Sequence, residues 1–361
     1  MVNAVISGSG CFLPEKVVRN ADFLSAQFFD ESNRPMLAEN EQIISQFESI
    51  TEIRERRYIG DQMRNSDMAA AAGSRAIADA KVDKEQIDYV IVAHNFGDIS
   101  SDASQINIMP SLAAKVKHKL RITNDRCVPY DMIFGCPGWL EGLILGNRFI
   151  QSGLAEHILV IGSETLSRVL DPHDRNRMIF ADGAGAVVLS ARGGKEKAGV
   201  MHSVTICDNG EELDYLKNSP SLNPAYDKSE FLVRIAGRKV YEYALKKVPP
   251  VVKETIESAA LGIGDISKVL IHQANAKMER AILVRLIQLF GLHKVPENLM
   301  PMTVQTLGNS SVATIPTLYD LIAHHELAPH EFHPGDHIVF ASVGAGMNVN
   351  AMVYRFPQHP L

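Results

Sequence analysis

The chain has 361 residues, more than one ordinary hydrophobic core holds and enough for two. Hydrophobic residues make up 46% and charged residues 22%, the balance of a soluble globular protein, and no uncharged apolar run reaches the roughly 18 residues of a membrane span. A net charge of −6 gives no footing for nucleic acid or an anionic membrane, though a local basic patch for an acidic carrier stays compatible, and four scattered cysteines (Cys11, Cys127, Cys136, Cys207) exclude a disulfide framework.

In chain order, Ala4-Val5-Ile6-Ser7-Gly8 reads as a first strand ending in a glycine turn, without the basic region and long apolar run of a signal peptide. A reducing cytoplasm is the expected setting, and it keeps Cys136 a thiol. Residues 25–57 form a polar excursion. Asp67–Ala80 is Ala-rich and predicts a closely packed helix, and Tyr89–Ala93 a short buried strand. Trp139–Ser152 predicts a helix, His157–Gly162 a strand and Gly185–Leu189 another, with Asp182-Gly183-Ala184-Gly185-Ala186 as a tight turn leading in. The Gly-rich polar stretch Ala191–Lys197 marks a boundary, giving units 1–193 and 194–361. A second excursion follows at 208–230. Long excursions cover an active site or form plain surface, and composition leaves both open. Strands that are apolar on both faces and alternate with helices predict α/β layering with covered sheets. The stretch Lys84–Asn95 also looks like Gly264–Asn275, each after a helical segment (Asp67–Ala80 and Val240–Ala260), which suggests duplication of one unit. His330 and His333 form a His-x-x-His between Pro329 and Pro334, which reads as a polar surface loop, and no metal site is expected.

Three distant segments carry chemistry. Cys136 stands in Phe134-Gly135-Cys136-Pro137-Gly138-Trp139. Proline suits a first helical turn, and a helix start lowers a thiol pKa toward the nucleophilic thiolate. Alone, a buried structural cysteine is the commoner case, and Cys127 is read as structural, with transient acyl acceptance as a weaker alternative. His272 leaves the apolar run Val269-Leu270-Ile271 at a strand's carboxyl end, where open α/β sheets bind ligands, with polar Gln273 and Asn275 beside it. Asn309, in Gly308-Asn309-Ser310-Ser311, offers an amide donor that never ionises; an ordinary Asn turn is the plainer reading. The stretch Ser342-Val343-Gly344-Ala345-Gly346-Met347 can expose amides as an oxyanion hole and is no dinucleotide fingerprint. If the three segments converge, the chemistry is acyl transfer through a thioester.

Together with Ile53-Arg54-Glu55-Arg56, Asp171-Pro172-His173-Asp174-Arg175 and Phe180–Ala186, these segments resemble the ketoacyl-acyl-carrier-protein synthase III branch of the thiolase superfamily across nearly the whole chain. The resemblance implies a duplicated five-layer αβαβα fold and a homodimer. It implies Cys136 as acyl acceptor, with His272 and Asn309 stabilising a decarboxylating extender. It puts the oxyanion amides at Cys136 and Ala345, and a substrate pocket around Val343, Gly344, Phe180 and Asn275. Acyl carrier protein, acyl-coenzyme A or both are the implied thioester partners, with no cofactor.

Three departures stand out. The family's Trp and Arg that grip coenzyme A are missing from Gln46–Arg54; a bulky Phe is replaced by Val343, which predicts a roomier pocket; and the cysteine frame is Phe-Gly-Cys-Pro-Gly-Trp. They suit a specialised relative joining two sizeable chains, such as a dialkylresorcinol- or quinolone-forming ketosynthase. The rivals are a fatty-acid initiation ketosynthase, a thioester-dependent O- or N-acyltransferase and a silent partner subunit. A hydroxymethylglutaryl-synthase-like enzyme needs an acid/base Glu near the cysteine, which the sequence does not place.

Overall fold

A computed structural model describes residues 2–102, 105–194, 198–226 and 231–358. Two mixed sheets organise them. The first runs in the order Asn3–Phe12, Asp182–Arg192, His157–Thr165, Tyr89–Ala93, Val128–Met132. The second runs Gly199–Cys207, Asn348–Arg355, His337–Gly344, Ile266–Ile271. Position for position, four strands of each sheet match in order and direction. In both sheets the first strand pairs antiparallel with the last, the last antiparallel with the one before it, and that one parallel with the strand after the outer helix. The expected duplication is thus a repeat of topology.

Helices Gly138–Gln151 and Thr314–Ala323 fill the space between the sheets. Their Trp139, Leu143, Ile315 and Leu318 share one core with Ile91 and Val160 of the first sheet and Leu270 and Phe340 of the second. Both helices are mostly apolar because most of their surface is covered, and the polar Arg148 and Gln151 of the first fall where it meets solvent. Helices Asn65–Ala80 and Leu112–Lys119 cover the outer face of the first sheet. Helices Gly237–Ser258 and Ala276–Leu289 cover the second, giving five αβαβα layers.

Some local expectations are corrected. The first strand does not end at Gly8 but runs on to Phe12, because it is paired along its length with Asp182–Arg192. Asp182–Ala186 is no turn but the start of that partner strand; the Asp182 carboxylate holds it there by accepting from the Ile59 amide and from the amide and hydroxyl of Ser167. Strands of the first sheet end at Arg192 and those of the second begin at Gly199, while 195–197 of the boundary stretch lie outside the described residues. The 25–57 excursion contains the helix Asn40–Thr51, whose Ile43, Ile44 and Phe47 join a small core with Val18, Phe23 and Ile53. From the second excursion, whose residues 227–230 lie outside the described residues, Leu216–Ser219 pairs antiparallel with Leu232–Ile235 just beyond it to form a hairpin.

Candidate active site

Cys136 sits where the strand Val128–Met132 turns into the helix Gly138–Gln151, with Pro137 as the helical cap residue. Gly135 takes φ +65°, a conformation that a side chain disfavours, and so swings Cys136 back over the turn. A side chain on Gly344 would stand 2.5 Å from the Cys136 amide nitrogen, and one on Gly135 2.7 Å from that of Ala345. The two segments therefore lie backbone to backbone, with the Cys136 and Ala345 amides side by side.

His272 follows the strand Ile266–Ile271, its amide donating to Ala341 O at 2.8 Å. Its Nδ1 lies 2.8 Å from Thr314 Oγ1, which fixes the ring and leaves Nε2 for the site. Asn309 is clamped by backbone bonds to Ile179 O and from the Ala181 amide. Its Oδ1 accepts from the Ser311 amide at 2.7 Å, so its NH2 is the group left to donate.

Ser311 ties the three together. Its hydroxyl donates to Cys136 Sγ at 3.3 Å, its amide holds Asn309, and its carbonyl accepts from the Thr314 hydroxyl that holds His272, at 3.0 Å. Cys136, His272 and Asn309 are thus brought to one place. Ser311, Thr314, Asn95 and Glu164 complete the site and were not singled out from the sequence. Glu164 is wholly buried at the end of the strand His157–Thr165, and its Oε1 accepts from the Asn95 amide and Nδ2.

Electrostatics correct one expectation. The Cys136 thiol stands high and not low: burial pushes it up to about 11, the Ser311 bond opposes that rise and nearby Glu164 adds to it. Burial raises it because a thiolate among apolar walls loses its water. Burial likewise carries the Glu164 carboxyl up to about 8 and His272 down to about 4. At neutral pH the resting site therefore holds a thiol, a neutral imidazole and a neutral carboxyl.

A cavity of about 330 Å³ opens at Cys136, lined by Asn95, Phe134, Leu166, Phe180, Ser311 and Ala345 among others. The hairpin of the second excursion covers it through Leu216, Lys217, Asn218 and Val233. Phe180 lines this cavity, whereas Asn275 does not: its Oδ1 caps the helix Ala276–Leu289 through the Met278 amide, and it lines a separate cavity of about 320 Å³. That cavity is walled by Gln46, Phe47 and Ile50 of the first excursion, with Arg175 and Arg238 as its cations. Gln273 braces the chain, bonding Pro301 O, Thr303 N and Val304 N. Val343 lines neither cavity; it is packed in the second core, because strand alternation turns it toward Val349 and Met347. Gly344 contributes its closeness to Cys136 and no lining of its own. Cys127 is buried in the outer core of the first sheet.

The required glutamate is present but screened. Glu164 sits behind Asn95 and lines no part of the Cys136 cavity, so a substrate there meets the amide and not the carboxyl. Arg56 of the Ile53–Arg56 motif is also internal, holding Met178 O, Val18 O and Asn20.

Comparison with known proteins gives a consistent picture. The family described as 3-oxoacyl-(acyl-carrier-protein) synthase III matches residues 130–209, and its C-terminal counterpart residues 256–356. The β-ketoacyl-(acyl-carrier-protein) synthase III of Erythrobacter litoralis is 32% identical over 359 residues, covering 99% of this chain and 100% of that protein. The solved β-ketoacyl-(acyl-carrier-protein) synthase III of Thermus thermophilus superposes with a TM-score of 0.78 at 28% identity, covering 98% of this chain and 99% of that one. The priming β-ketosynthase of the R1128 polyketide pathway shares the fold at a TM-score of 0.80 and 24% identity, covering 99% of this chain and 97% of that one.

Proposed function

Because the chain belongs to the 3-oxoacyl-(acyl-carrier-protein) synthase III family, we propose that it is a condensing enzyme that loads an acyl group on Cys136 and joins it to a second thioester. The Cys136 sulfur attacks the acyl thioester carbonyl and expels the carrier thiol. A malonyl-type thioester then loses carbon dioxide, or a 3-ketoacyl-type thioester gives its α-proton to the free Nε2 lone pair of neutral His272, leaving a carbanion. The carbanion attacks the acyl-enzyme carbonyl, forms the carbon–carbon bond and releases the Cys136 thiolate. The Asn309 amide holds the extender's carbonyl oxygen as it gains charge, joined by His272 Nε2 when the Thr314 hydroxyl turns its proton from Ser311 O to Nδ1 and the ring proton sits on Nε2, while the Cys136 and Ala345 amides hold the oxygen of the acyl group. The observation that carries this reading is the single residue Ser311 bonding the supports of all three groups.

The finer reading is a specialised lipid or polyketide pathway, such as dialkylresorcinol formation, in the cytoplasm. It rests on the family's Trp and Arg being missing from Gln46–Arg54, a stretch whose Gln46, Phe47 and Ile50 wall the second cavity, and on Phe134 beside Cys136. Arg175 and Arg238 supply that cavity's cations for the phosphate of a carrier arm or of coenzyme A. A homodimer is favoured by the strand Val128–Met132 at the edge of its sheet, with Tyr130 and Ile133 exposed.

Intact-protein mass spectrometry after incubation with a panel of acyl thioesters tests the loading step. The wild-type chain gains one acyl mass, Cys136→Ala gains none, and Cys11→Ala and Cys207→Ala load normally. A Cys136→Ala chain that loads at the wild-type rate refutes the assignment. Carbon dioxide release from a malonyl thioester on the loaded enzyme then separates condensation from transfer to oxygen or nitrogen.

A further inference from the structure

We propose that Ser311 is a catalytic residue of this enzyme, a hydroxyl aimed at the Cys136 sulfur by Asn95 and, behind it, by the buried Glu164. The inference rests on Cys136 as the acyl acceptor and assigns what makes its thiolate attainable. The sulfur lies in an apolar cavity, where loss of water disfavours the anion, so a donor in contact with it matters.

The direction of the bond follows from the chain of partners. A serine hydroxyl has one proton and two lone pairs. Asn95 Nδ2 stands 3.3 Å from Ser311 Oγ and can only donate, so it occupies a lone pair and leaves the proton for Cys136 Sγ at 3.3 Å. Asn95 does not reverse: its backbone amide donates to Glu164 Oε1, which makes that oxygen the acceptor of the neutral carboxyl and puts the acid proton on Oε2, so the Asn95 side chain presents Nδ2 to it at 2.7 Å. An oxygen facing Glu164 Oε1 would lose that bond. Glu164 is 0% exposed, and its Oε2 has no partner, so the carboxyl serves no other residue described here. The Ser311 proton is donated and never transferred; it stays on oxygen as the thiol loses its own.

The backbone shows that the placement is imposed. Ser311 sits at φ +53°, a left-handed conformation that costs a non-glycine residue energy and that clusters at functional sites. A glycine would suit that backbone better, yet a hydroxyl stands there. Among titratable groups at the site, the Glu164 carboxyl bears on the sulfur, His272 stands beside it as a neutral ring, and Lys217, paired with Asp214 at 2.9 Å, lines the same cavity. Neither Glu164 nor Lys217 touches the sulfur.

The test follows alkylation of the Cys136 peptide by iodoacetamide against pH in the full-length protein, with no acyl substrate. Ser311→Ala and Ser311→Gly are each expected to move the midpoint upward by about one to two pH units, the scale of a hydrogen bond to a charged group. The neutral-pH alkylation rate should fall about tenfold or more. Asn95→Leu should move it the same way, since the serine proton then loses its aim. Equal shifts for Ala and Gly assign the effect to the hydroxyl. A midpoint unchanged in both, or moved by Ala and restored by Gly, overturns the proposal. An unmoved midpoint in Asn95→Leu overturns the aiming by Asn95, and this variant alone decides should the Ser311 variants not fold. Because alkylation needs no thioester, a shifted midpoint in a chain that loads no acyl group sinks the condensing-enzyme reading and leaves Ser311's role standing.

Discussion

The resting thiol, imidazole and carboxyl are all neutral because all three are buried. Charge therefore develops only as reaction proceeds, where fixed donors are worth most. The two groups proposed to hold the extender oxygen can be separated by experiment from Cys136, the proposed nucleophile. His272→Ala and Asn309→Ala should still acquire an acyl mass, at most about tenfold more slowly by analogy with one lost hydrogen bond, yet their condensation rates should fall by about 10²–10³. Equal losses in both half-reactions for Asn309→Ala would remove it from the extender step. Cys136, His272 and Asn309 were legible because each stands in a segment with chemical character of its own. Ser311, Asn95 and Glu164 were not, since their roles exist only through contacts across the chain, such as that between Asn95 and Ser311, 216 positions apart.

Secondary-structure elements were read well where apolar period and length agreed. Tyr89–Ala93 and Gly138–Gln151 appear within a residue of expectation. The helix Gly237–Ser258 persists through Pro249 and Pro250 because its apolar face, with Val248, Val251, Val252 and Ile256, is held by the second core. Which way a strand residue points was harder to read. Val343 was expected in a pocket, and it lies in that same core. Val343→Phe should therefore overfill packed space, at a cost of about 1–3 kcal/mol. A lowered melting temperature with an unaltered chain-length profile is the expected pair of results. A wild-type melting temperature with short chains now preferred would return the residue to the pocket.

At the scale of the molecule, burial of acids makes stability depend on pH. Glu279, buried in the first turn of the outer helix Ala276–Leu289, accepts from the Ala274 and Asn275 amides, and burial lifts its carboxyl from about 4.5 to about 8. The folded chain then holds a proton that the unfolded chain releases at a lower pH. That contribution is complete below about pH 4.5 and fades as pH rises through about 8. Glu279→Gln keeps the accepting oxygen and cannot ionise, so its melting temperature should fall less than the wild type's between pH 6 and pH 9. Parallel melting curves for the two across that range would show that Glu279 does not titrate on unfolding.

The close approach of Gly344 to Cys136 and of Gly135 to Ala345 joins the end of one sheet to the end of the other. The two amides beside the nucleophile therefore belong to different repeats, and their spacing is a gauge of how the repeats are registered. A slip of about 1 Å at this seam, too small to expose any core, is enough to cost on the order of 10² in rate. Turnover is accordingly the most sensitive strain meter the molecule carries. On gentle heating or under pressure it should dim while both sheets are still intact.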